Sequence, residues 1–151
     1  MVKTTFTKLP QEKQERIFNQ LLLEFSRYPL AQAKVAHIVA GAGIARGSFY
    51  KYFDDLTDAC RYTLGQVLAQ IHVHVLEKGL TPQDAYQLVA AFVEKAENLK
   101  WQDFIHMHFT YNEGAIPTPQ IDLNLPAEQW LIMLACQDVL RQVAKAPQKR
   151  E

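Results

Sequence analysis

The sequence predicts an all-α chain: a head of three helices followed by a second, small helical domain. Three observations predict it. From Ile17 onward apolar residues recur every three to four positions, the spacing of a helix face rather than of a strand. Prolines, glycines and Asp or Thr caps stand where such stretches begin and end. One segment, Ile105–Tyr111, alternates apolar and polar as a strand does, but no partner strand is evident elsewhere. Because Trp101, Phe104, Ile105, His108 and Phe109 also fit one helical face, that segment is read as helix.

The first helix starts after Leu9-Pro10, with Glu12 and Glu15 favouring the positive end of the helix dipole. Ile17, Leu21 and Phe25 share its inner face, and Pro29 stops it, since the residue before proline avoids the α region. A second, short helix is expected from about Gln32 to Gly41, with Val35, Ile38 and Val39 inward. Gly41 and Gly43 mark a turn, and a third short helix runs from about Ala45 to Tyr52. Asp54 and Asp55 are N-cap candidates for a long fourth helix ending near Lys78-Gly79. Thr81-Pro82 starts the helical stretch Gln83–Glu97, and Gly114–Pro126, with its prolines, reads as a loop. The last helix spans about Ala127–Ala144 and carries an apolar block, Leu131–Cys136. A helix apolar on every side must be buried on every side. The small body offers few helices to surround that block, so a second copy of the chain is expected to cover it.

Composition narrows the function. At 151 residues, 48% hydrophobic and 21% charged, the chain suits one compact domain or a small domain joined to another element. No apolar run reaches the roughly 20 residues of a membrane span, and the opening residues lack the apolar core of a secretory signal. Two cysteines far apart, Cys60 and Cys136, form no disulfide framework, so a cytoplasmic setting is expected. The net charge of zero conceals a split. Residues 1–53 carry eight Lys/Arg against three acids, a net of +5, and the remainder carries −5. A basic head on an acidic body points the head at a polyanion.

Two short helices joined by a tight glycine turn and preceded by a longer helix make a helix-turn-helix, whose last helix enters the DNA major groove. Spacing divides the third helix. Phe49 and Phe53, four apart, face inward, with Ala45 one turn earlier on the same side. Arg46 with Tyr50, and Gly47 with Lys51, face outward. A tyrosine hydroxyl suits phosphate, and the arginine fork suits guanine O6 and N7. Gly47 lets a backbone approach DNA closely, at about 1 kcal/mol in helix propensity.

The stretch K-V-A-H-I-V-A-G-A-G-I-A-R-G-S-F-Y-K-Y-F, residues 34–53, resembles the DNA-binding signature of the TetR family of transcriptional repressors. The likeness covers about Gln11 to Cys60. It implies a homodimer joined through the C-terminal helices, reading a palindromic double-stranded operator. It also implies a small-molecule effector held among the helices of the second domain, with no membrane involved. Residues 1–53 become the helix-turn-helix DNA-binding domain and 54–151 the ligand-binding and dimerisation domain. The expected DNA contacts are Arg46, Gly47, Ser48, Tyr50 and Lys51, with Lys34 and Tyr52 adding phosphate contacts. Two positions depart from the family pattern. Ala45 stands where a Ser or Thr usually caps the third helix, a loss of roughly 1 kcal/mol. Leu56 stands where a Lys usually meets phosphate. That second departure favours the alternative, a helical interaction module that has lost DNA binding.

Other features carry less. His72 with His74, and His106 with His108, lie two apart, so on a helix neither pair chelates a metal. His37 reads as a surface residue, and both cysteines as small buried hydrophobes. No nucleophile–base pairing, phosphate loop or carboxylate constellation indicates an enzyme or a cofactor.

Overall fold

The computed structural model describes residues 2–72, 83, 86, 87, 90, 101–117 and 124–145. The expected end of the fourth helix at Lys78-Gly79, the Thr81-Pro82 start, His74 and most of Gln83–Glu97 lie outside the described residues. Among the described residues the architecture is all-α, with no strand and no helix long and apolar enough to cross a membrane. The order is α1 (Thr4–Thr7), α2 (Gln11–Arg27), a 3₁₀ turn (Leu30–Gln32), α3 (Val35–Ala42), α4 (Arg46–Tyr52) and α5 (Leu56–His72). Then come α6 (Gln102–Met107), a π-helical turn (His108–Asn112) and α7 (Ala127–Lys145).

α2 is the central strut. Ile17, Leu21, Leu22 and Phe25 are buried on the spacing the sequence predicts. Around it pack α3, α5 and α6, so one core runs from the head into the body. α7 packs on α6 and on the π turn. Asn112 in that turn accepts the Leu30 backbone N–H at 2.9 Å, tying the body to the link between α2 and α3. Arg141 of α7 holds Glu113 at 2.8 Å and lies over the Phe109 ring.

The structure adjusts several expectations. α1 escapes a periodicity reading because T-T-F-T is one turn long, yet Phe6 is fully buried against Tyr52, Phe53 and Tyr62. The second helix does not begin at Gln32. Residues 30–32 form a 3₁₀ turn, and Lys34 is extended before α3 starts at Val35. Ile105–Tyr111 is helical, not a strand, but it widens into a π turn from His108. Asp55 is the N-cap of α5: its carboxylate accepts the Asp58 N–H at 2.7 Å, and Asp58 in return accepts the Asp54 N–H at 3.1 Å.

Candidate nucleic-acid interface

The turn between α3 and α4 depends on Gly43. Its φ of 63° and ψ of 39° are left-handed values that glycine adopts without steric cost. The Ile44 N–H returns to the Val39 carbonyl at 3.1 Å and the Gly43 N–H to Ala40 at 3.3 Å, a Schellman closure. The chain then leaves α3 and enters α4 with only Gly43, Ile44 and Ala45 between.

The N-terminus of α3 is held from outside its own sequence. Lys34, its N-cap residue, offers no side-chain cap. Instead the buried Glu24 of α2 accepts the Lys34 backbone N–H at 2.8 Å and faces His37 Nδ1 at 3.0 Å. The carboxylate thus sits at the positive end of α3. His37 is near the surface as expected, but it is bound to Glu24 and lies beside the Tyr28 ring. Gln20, Leu23, Arg27 and these three residues line an open cleft of about 330 Å³.

α4 divides as its spacing predicts. Phe49 and Phe53 are wholly buried, their rings 5.4 Å apart and tilted at 46°, while Arg46, Gly47, Tyr50 and Lys51 are exposed and Ser48 is half-buried. Lys34 is also exposed. Among the described residues Lys34, Arg46 and Lys51 have no ion-pair partner, so their charge is uncompensated. A Cβ added to Gly47 would meet nothing within 4 Å. The fold therefore has no packing need for glycine there.

One position on this helix differs from expectation. Ala45 is exposed rather than packed beside Phe49, because its backbone is extended (φ −71°, ψ 148°) and the inner face does not continue back to it. It makes no side-chain cap, as alanine cannot. Tyr52 stands apart from the other candidate contacts. It is 7% exposed, its ring edge-on to Phe6 at 5.8 Å, and it serves α4 as an anchor.

The C-terminus of α4 shows what spacing could not. A helix leaves its last four carbonyls unpaired. Here all four are taken. Phe49 O accepts the Phe53 N–H at 2.9 Å, and Tyr52 O accepts the Lys3 backbone N–H at 3.0 Å. Tyr50 O accepts from Lys3 Nζ at 2.9 Å, and Lys51 O accepts from the Thr5 hydroxyl. Lys3 Nζ also pairs with Asp54 at 2.9 Å. Those contacts hold the Asp54 carboxyl below its usual range. Lys3 lies 47 residues from Tyr50 and Thr5 lies 46 from Lys51 along the chain, beyond any local pattern.

In the body, His108 is fully buried with neither ring nitrogen hydrogen-bonded, and Trp101 Nε1 and Asn112 Nδ2 are likewise buried without a partner among the described residues. Burial pushes His108 down to about 4, while Glu113 acts in the opposite direction. His106 faces the Ala144 carbonyl instead, so the two histidines point apart. Cys60 and Cys136 are buried thiols, raised by burial to about 12 and about 11.

No protein-family model and no curated protein matches the chain. Among solved structures it is similar to a TetR family transcriptional regulator from Chloroflexus aurantiacus J-10-FL, with 24% identity and a TM-score of 0.61. That likeness covers 93% of this chain and 60% of the other, so the chain spans less than two thirds of that neighbour's length. It is also similar to a TetR transcriptional regulator from Rhodococcus sp. RHA1, with 17% identity and a TM-score of 0.48, over 91% of this chain and 72% of the other. The fold is TetR-like: a helix-turn-helix head carried on a helical body.

Proposed function

We propose that the chain is a TetR-type transcriptional regulator. It acts as a ligand-responsive repressor that binds a palindromic DNA operator as a homodimer. The division of α4 carries this reading: Phe49 and Phe53 hold the helix to the core, while Arg46, Gly47, Tyr50 and Lys51 stand open to solvent. Arg46 and Tyr50 read or clasp the groove, Ser48 and Lys51 add polar contacts, and Lys34 meets phosphate. Tyr52, whose ring fixes α4 to Phe6, adds a further phosphate contact.

Residues 1–53 form the DNA-binding unit and 54–151 the unit for dimerisation and effector binding. Leu131 and Leu134 on α7 are 58% and 44% exposed in the single chain, although Ile132 and Cys136 beside them are buried. An apolar stripe of that kind supports a two-fold partner across α7.

Selection from a random duplex pool by the purified chain, followed by sequencing, tests the proposal. Enrichment of a two-fold symmetric sequence supports it; a pool left unchanged contradicts it. One observation favours the other reading, a helical interaction module without DNA binding: Asp54 and Asp55 are exposed where α5 begins, and Leu56 adds no charge. Absence of DNA retention even at low salt supports that reading.

A further inference from the structure

The C-terminal end of α4 poses an electrostatic problem for a DNA-reading helix. Its carbonyls carry the negative end of the helix dipole. Asp54, 62% exposed, and the exposed Asp55 follow immediately. Such an end repels phosphate. Yet Tyr50 and Lys51 in the same turn belong to the open face.

Lys3 lies at this corner. Its ammonium donates to Tyr50 O at 2.9 Å and to Asp54 Oδ1 at 2.9 Å, and its side chain is 40% exposed. An ammonium has three N–H donors. Two are engaged here, and both partners are acceptors belonging to the acidic corner.

We propose that Lys3 is part of the DNA interface: it neutralises the acidic end of α4 and directs its remaining N–H to a backbone phosphate there. The residue thereby supplies at this corner the positive charge that Asp54, Asp55 and Leu56 do not. This inference rests on the DNA-binding reading above and adds a residue to it. The depressed carboxyl of Asp54 agrees with a committed pair in the free protein. Thr5 makes the matching neutral contact, to Lys51 O, so it braces the helix without adding charge.

The experiment uses the full chain and a fluorescein-labelled 24-base-pair duplex of mixed sequence, with anisotropy read over a salt series. Lys3→Gln is expected to weaken binding about tenfold and to flatten the slope of log K against log salt by about 1. Lys3→Arg should restore both. Thr5→Val lowers thermal stability but leaves the salt slope as in the wild type, which separates bracing from charge. Asp54→Asn, which keeps Lys3 and needs no change to the brace, is expected to tighten binding several-fold. A wild-type salt slope in a folded Lys3→Gln chain overturns the inference, as does an unchanged affinity in Asp54→Asn. A wild-type chain that ignores the duplex at every salt concentration overturns the DNA-binding reading itself.

Discussion

Asn112 Oδ1 accepts the Leu30 backbone N–H at 2.9 Å, joining positions 82 residues apart. Leu30 opens the 3₁₀ turn that feeds α3, and Asn112 is 2% exposed in the π turn of the body. A buried amide that loses its acceptor costs about 1–3 kcal/mol. Asn112→Ala is therefore expected to lower the unfolding free energy by that amount in urea titrations. An unchanged midpoint would show that the bond contributes nothing.

His108 should make stability depend on pH. Its folded value, about 4, lies below the ordinary 6.5 because burial disfavours the charged ring. Between those values the unfolded chain binds the proton and the folded chain does not. Stability from this group is thus complete above pH 6.5, falls as pH drops toward 4, and is level below. The slope is at most about 1.4 kcal/mol per pH unit. The difference in urea-unfolding free energy between wild type and His108→Gln should shift with pH across this window. A constant difference would contradict the buried neutral ring.

Gly47 separates folding from function. Nothing lies within 4 Å of an added Cβ, so Gly47→Ala should stabilise the chain by about 0.5–1 kcal/mol through helix propensity. The same methyl group stands on the proposed DNA face. A higher melting temperature with weaker DNA binding is expected; unchanged binding would place that backbone away from DNA.

Ala45 offers the converse. It occupies the N-cap of α4 in extended backbone with no side-chain bond. Ala45→Ser should recover about 1 kcal/mol by accepting an N–H in the first turn. Differential scanning calorimetry reads this as a rise in melting temperature, and no rise would show that the side chain cannot reach.

Local chemistry made much of this legible. The two faces of α4 follow from four-residue spacing, the turn after α3 from Gly43, and the α5 start from the N-cap candidates Asp54 and Asp55, of which Asp55 makes the cap. What escaped was non-local. Glu24 caps α3 from a different helix, and Lys3 and Thr5 close α4 from residues near the other end of the head. The anchoring of Tyr52 was hidden too, because its ring partner, Phe6, belongs to a helix too short to show a period. Likewise the orphan nitrogens of Trp101, His108 and Asn112 arise from tertiary burial, which spacing alone does not encode.

The division of α4 is tested most directly by Arg46→Ala combined with Lys51→Ala. Both side chains are exposed, so the melting temperature should hardly move. Affinity for the selected operator, read by anisotropy at fixed salt, should fall by about two orders of magnitude. Wild-type affinity in the double variant would contradict the assignment of this face to DNA.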